Sequence, residues 1–291
     1  MLRVSKNLLS SLGVDTSSLY QTLSARSIAA ALREQDLGSL VADLREVVPD
    51  VSDQYTDSFA NEDYRRYWEL KIRGQQAFQI RSVLDTLTRI DGGDLSVVDI
   101  GDSSGNHAAY IQALAPQGKV KEIISANLDP VAVQKIKDKG GKAYLCRAED
   151  LGELDINPDL LLCFETLEHL IDPVGFLRRL ACSDSAEHLL LTVPYRRDSR
   201  FGGYHLRAVD QGGSETLSPE KVHIHEYCLE DWLLLAHFSG WRSLFAEIYL
   251  QYPRRSIYRL SAPLWRKLDF EGYVGILLKR DLRFSDQYTG W

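Results

Sequence analysis

The sequence has no run of about 20 apolar residues, the length a membrane-spanning helix requires. Its apolar stretches, such as LLLCF at 160–164, are far shorter. It also lacks a signal-peptide core, because the opening MLRVSKNLLSSLGVDTSSLY is interrupted by Ser, Lys and Asn. Cysteine is sparse: the four residues, Cys146, Cys163, Cys182 and Cys228, include no pair with the short spacing of a zinc site. Reduced thiols of a soluble cytoplasmic protein are expected. Positive charge is not in excess either. Lys and Arg total 34 against 41 Asp and Glu, a formal charge of -7, which argues against a generally basic face and a nucleic-acid acceptor. No internal repeat or low-complexity tract is present. The remainder is ordinary globular composition, 291 residues with 44% hydrophobic and 26% charged, enough for one large domain or two smaller ones.

Residues 1–58 contain no strand-like run. Leu8, Leu9, Leu12, Leu19 and Leu23 could line short helices, and Ile28, Leu32, Leu40, Val41, Leu44 and Val47 a second pair ending near Pro49. An amphipathic segment follows, with Trp68, Ile72, Phe78, Ile80, Val83, Leu84 and Leu87 as its buried positions. From residue 96 short apolar runs alternate with helical stretches: SVVDI, EIISANL, AYLCRA, DLLLCF and HLLLTV. Near-continuous branched and leucine runs, each followed by a helix, indicate parallel strands covered on both faces. SLFAEIYL (243–250) and VGILLK (274–279) complete the sheet at one edge. The expected fold is α/β, a doubly wound, mostly parallel seven-stranded sheet in residues 59–291, with a helical N-terminal extension over 1–58.

The segment VVDIGDSSGNHAAYIQAL is the most informative. A buried strand runs into Gly101, turns at Gly105 and opens a helix near Asn106. Glycines allow positive φ and close backbone approach, and the helix N-terminus offers free N–H groups. The pattern Asp99, Gly101, Ser103, Gly105 resembles motif I of the class I S-adenosylmethionine-dependent methyltransferases, with Ser103 in place of the middle glycine. The resemblance covers roughly 97–195 and implies a Rossmann-like methyltransferase fold and S-adenosyl-L-methionine as cofactor. It implies that Asp99 meets the methionine end of that cofactor, through water or its amino group, with Gly101 and Gly105 beneath it. Asn127 stands where the family carries an acidic ribose contact; Asp129 reads better as a helix cap ahead of Pro130. Ala148 and Glu149 match the positions that flank adenine. His107, after the loop, reads as a helix-terminal residue.

The fourth strand ends in CFETLEHLIDPVGFLRRL. Glu165, Glu168 and His169 have spacing i, i+3, i+4, one face of a helical turn if one begins there. Such a set could hold a divalent ion, with a fourth ligand from His223 or His225. The arrangement resembles the Glu-x-x-Glu-His motif of the ubiquinone-biosynthesis O-methyltransferases and of enzymes that methylate the terminal 2′-hydroxyl of small RNAs. That resemblance prefers His223 and implies metal ligation by Glu165, Glu168, His169 and His223, the ion being Mg or Mn-like. Without a metal, His169 is the first candidate for general base and His223 the second. Acidic residues are also favoured in any first helical turn, so Glu168 and His169 alone would be unremarked.

Two stretches are locally basic: Arg196, Arg197, Arg200 and Arg207 against Asp198, and Arg254, Arg255, Arg259, Arg266 and Lys267 with no acid. Interleaved aromatics, Tyr204 among them, suit sugars or rings, and arginine forks suit phosphate or carboxylate. Arg196, Arg197, Tyr204 and His205 are the expected acceptor-binding residues, for an anionic small-molecule or glycan-like substrate, including phosphorylated ones. Two activities compete: an O-methyltransferase, and a methyltransferase-like binding or scaffold protein without catalysis, for which Ser103 and Asn127 speak.

Overall fold

A computed structural model describes residues 16–54, 65–154, 156–183, 186–202, 222–268 and 270–288. Seven strands form one sheet: β1 (Leu95–Ile100), β2 (Val120–Asn127), β3 (Lys142–Leu145), β4 (Leu160–Phe164), β5 (His188–Tyr195), β8 (Trp241–Leu250) and β9 (Gly272–Arg280). Their order is β3-β2-β1-β4-β5-β9-β8. Neighbours from β3 to β5 pair in parallel, whereas β9 runs antiparallel to both β5 and β8. A two-stranded ribbon pairs β6 (Arg200–Phe201) with β7 (His225–Glu226), and Tyr227 beyond it bridges Tyr195 at the end of β5.

The reason for this order is written in burial. All five residues of β4 are buried, as a central strand covered on both faces requires. The AYLCRA run forms a shorter strand than its composition suggests. Cys146 leaves the sheet, and a 3-10 turn begins at Ala148.

Helices cover both faces: α3 (Arg65–Arg89), α4 (Asn106–Leu114), α5 (Pro130–Asp138), α6 (Pro173–Cys182), α7 (Leu229–Phe238) and the short α8 (Ala262–Leu268). α5 begins as its sequence predicts: Asp129 accepts from the Val131 N–H at 2.8 Å, with Pro130 in the first turn.

The N-terminal region contributes α1 (Thr16–Glu34) and α2 (Gly38–Val47). Leu19 and Leu23 lie exposed on α1, while Ile28 and Leu32 are buried. Those two join Leu37, Val41 and Leu44 in the same hydrophobic cluster as Phe78, Leu160 and Leu277. Residues 1–15, with Leu8, Leu9 and Leu12, lie outside the described residues.

Arg73 fastens this corner. It is fully buried, and its guanidinium donates to the Leu44, Val48 and Pro49 carbonyls at 3.2, 2.5 and 3.0 Å. It also donates to the Tyr110 hydroxyl at 2.8 Å and pairs with Glu69 at 3.2 Å. One side chain thereby satisfies carbonyls at the end of α2 and ties α2, α3 and α4 together.

Candidate active site

The glycine loop leaves β1 at its C-terminal end, where open α/β sheets bind ligands. Gly101 has φ 88° and Gly105, the N-cap of α4, φ 78°. The residue that shapes the loop is one the sequence reading passed over, Asp102. Its buried carboxylate accepts from the Ser104 and Gly105 N–H groups at 3.3 and 2.9 Å and from the Ser125 hydroxyl at 3.1 Å. Ser103 is half-buried at the bend. Asn127 donates to the Asp102 carbonyl at 2.9 Å and accepts from the Asp129 N–H at 2.8 Å, so its amide bridges the ends of β1 and β2.

A cavity of about 380 Å³ opens beside this loop. Gly101, Asn127, Arg147, Ala148, Thr166 and Leu170 are among its walls. Its volume falls within the usual range for small-molecule sites. Leu128 and Ile171 form an apolar rim, 65% and 90% exposed. Three of the expected cofactor residues, Gly101, Asn127 and Ala148, line this cavity, whereas Asp99, Ser103 and Gly105 do not. The side chain of Glu149 lies outside the described residues.

Asp99 is buried and hydrogen-bonded through Oδ2 to His107 Nδ1 at 2.9 Å. Burial pushes its carboxyl up to about 6, although the charge and hydrogen bond of His107 pull the other way. For His107, burial lowers the pKa, but the Asp99 charge and hydrogen bond outweigh it and the net direction is upward. His107 is therefore more than a helix-terminal residue. Its Nε2 lies 3.2 Å from Gln79 Oε1, and Gln79 Nε2 donates to Thr192 Oγ1 at 3.1 Å.

On the far side of Thr166, the expected metal residues come together in a different shape from the one their spacing suggests. Only a single 3-10 turn, Leu167–His169, follows β4, and Glu165 precedes it in the left-handed region with φ 47°. Glu168, His169 and His223 each present a ligand atom within 4.8 Å of the others; Glu165 is not part of that group. His169 Nδ1 bonds the Val222 carbonyl at 2.9 Å, and His223 Nδ1 faces Glu226 Oε1 at 3.2 Å. These contacts turn each Nδ1 to an oxygen acceptor, and His169 Nε2 faces Glu168 Oε1 at 3.7 Å. His225 instead bonds the Tyr227 hydroxyl and the Leu170 carbonyl.

Both oxygens of Glu168 and Oε1 of Glu165 are buried without a hydrogen-bond partner. Burial drives both carboxyls well above the ordinary range, and the Glu165 charge adds to the rise at Glu168. Two desolvated carboxyls in contact must share protons or accept a cation. The donor set of carboxylate and imidazole fits a divalent metal.

Three arginines of the basic stretches, Arg196, Arg200 and Arg266, are paired with buried carboxylates. Glu226 is buried and takes Arg200 at 2.6 Å, Arg196 at 3.7 Å and His223 at 3.2 Å. Glu271, also buried, binds Arg266 and Tyr252 and accepts from the Arg197 backbone N–H at 3.0 Å. Arg196 is buried and donates to the Arg266 carbonyl, while the Arg197 side chain is exposed. Tyr204 and His205 lie outside the described residues. Sequence reasoning missed another wall here: Phe270 lies 5.5 Å from His223, and Lys71 Nζ stands 5.0 Å over the Phe270 ring. Neither sits in a motif; only the folded chain places α3 and the β8–β9 connection against the histidines.

No protein-family model and no curated protein matches the chain. Solved structures do. Magnesium protoporphyrin IX methyltransferase from Synechocystis, with bound SAH, is 14% identical over 86% of this chain and 99% of that one, with a TM-score of 0.49. The S-adenosylmethionine-dependent methyltransferase from Mesorhizobium loti is 14% identical over 68% and 98%, at 0.45. The [4+2]-cyclase SpnF is 12% identical over 83% and 96%, at 0.49. No described helix is long and apolar enough to cross a membrane.

Proposed function

We propose that the chain is an S-adenosylmethionine-dependent methyltransferase that methylates a hydroxyl of an anionic small-molecule or glycan-like acceptor. The observation that carries this reading is one of adjacency. Thr166 and Leu170 line the cavity beside the glycine loop, and the Glu168/His169 turn lies between them in sequence. A sulfonium methyl presented from the cavity would face that turn. The acceptor oxygen attacks the methyl carbon in line, the carbon–sulfur bond breaks towards sulfur, and the hydroxyl proton leaves for a base.

His169 and His223 present Nε2 where such a proton could be taken. Glu168, His169 and His223 would hold a divalent metal, with Glu165 beside them, and the metal would supply Lewis-acid lowering of the hydroxyl pKa. Glu226 keeps the His223 ring turned for either role.

S-adenosylhomocysteine at about 100 times its dissociation constant adds roughly 2.7 kcal/mol of stability. For a domain of this size that raises Tm by about 5 °C. No shift at saturating ligand would favour the binding or scaffold reading, with Ser103 and Asn127 as the first positions to explain. Adding Mn²⁺ should raise Tm again, and Glu168→Gln should remove that second rise while leaving the first. In metal-free buffer the same substitution should not lower Tm, because a neutral amide replaces a buried carboxyl held against the Glu165 carboxyl. A Mn²⁺ response unchanged in Glu168→Gln would sink the metal assignment and leave the cofactor assignment standing.

A further inference from the structure

Half-buried His107 lies against buried Asp99 beside the glycine loop, and an oxygen faces each of its ring nitrogens. Gln79 donates its amide N–H to Thr192 Oγ1, so its carbonyl oxygen is the atom turned towards His107 Nε2. Nδ1 faces the Asp99 carboxylate. Two acceptors on opposite sides of one imidazole favour the doubly protonated ring, because a neutral histidine has a single N–H to give, and the Asp99 charge raises the His107 pKa in the same sense. The ring packs edge-on to Phe164, with centroids 5.1 Å apart.

We infer that His107 is a positioning residue of the cofactor site: its imidazolium clamps Oδ2 of Asp99 and directs Oδ1 to receive the cofactor's α-ammonium group. This rests on the S-adenosylmethionine reading above. A buried carboxylate without a cation tends to take up a proton, and a protonated Asp99 would be a poor acceptor for an ammonium group. His107 keeps it ionised before the ligand arrives. The other charged groups around the pair are carboxylates, Asp102 on the loop and Glu165 at the end of β4, with the neutral Cys163 thiol on β4. His107 is accordingly the cation that the Asp99 site depends on.

The test is S-adenosylhomocysteine affinity by calorimetry between pH 5 and 8, in the wild type, His107→Gln and Asp99→Asn. In the wild type the ligand favours ionised Asp99. Affinity should therefore be full above its pKa of about 6 and fall as pH drops through it. Without the imidazolium, the Asp99 pKa rises. In His107→Gln the acid limb should move up by about one pH unit or more, with binding at pH 7 weakened at least about twofold. Asp99→Asn should bind weakly and lose the acid limb. An acid limb in His107→Gln at the wild-type pH would overturn the inference. Nitrogen-15 NMR of the histidine rings in the free wild type gives a reading that needs no variant: both His107 nitrogens should carry a proton at pH 7, and a single N–H would also overturn it. Wild-type protein that binds no S-adenosylhomocysteine at any pH would sink the proposed function instead, while the NMR arm would still report on the pair.

Discussion

Gly101→Val should abolish S-adenosylhomocysteine binding, weakening it at least about 100-fold, a loss on the order of 3 kcal/mol. Two effects act together. Gly101 has φ 88°, a backbone state that costs an L-residue about 1–2 kcal/mol and is worse for a branched side chain. A Cβ at this position would lie 3.1 Å from Thr166 Oγ1, and the two methyls beyond it would enter the cavity that Gly101 and Thr166 both line. Gly101→Ala should fall between the wild type and valine, since it carries the strain without the added methyls. Far-UV circular dichroism should be unchanged in both, because the sheet strands on either side are already paired. Valine binding within tenfold of the wild type would mean that no ligand passes over Gly101.

The largest loss of stability is expected from Arg73→Met. The substitution keeps most of the volume and removes the charge and five donors. It removes the guanidinium donors from the Leu44, Val48 and Pro49 carbonyls and the Tyr110 hydroxyl; Leu44 keeps its bond from the Val48 N–H and Tyr110 its bond to Gln76. Breaking a buried charged cluster from one side costs about 3–5 kcal/mol. Tm should fall on the order of 5–10 °C. Arg73→Lys should recover only part of this, because an ammonium cannot span acceptors arranged around a planar fork. The companion Glu69→Gln should cost far less, since Glu69 is one-third exposed and shared with Arg45. A loss below about 1 kcal/mol for Arg73→Met would show that α2 docks by its leucines alone.

The strands were legible in the sequence because each is a compact apolar run, and the glycine loop because its chemistry is local; the insertion of β9 between β5 and β8 was not, because an apolar run does not show its neighbour. Asp129 could be read as a cap for the same reason. The shape of the Glu/Glu/His group could not, because its spacing suggests one helical face, whereas the chain makes a left-handed kink at Glu165 and a single 3-10 turn. Gln79, Asp102, His107 and Arg73 were invisible for another reason. Each takes its meaning from a partner on a different element: Gln79 meets Thr192 and His107, and Arg73 meets the end of α2. The arginines of the two basic stretches looked like an anion site in the sequence, which does not show that Glu226 and Glu271 are folded in among them.

The reversed position of β9 bears on how the protein can be made. β9 is the last of the seven strands to leave the ribosome, yet it lies inside the sheet, between β5 and β8. At a synthesis rate of about 5–20 residues per second, β8 emerges roughly 2–6 s before β9 is complete. During that interval β5 and β8 have no shared partner, and each exposes an unpaired edge in the nascent chain. Such edges invite pairing with a neighbouring nascent chain. The final strand therefore completes the sheet from within, and slow translation between Leu250 and Gly272 would lengthen the period in which this protein is most open to aggregation.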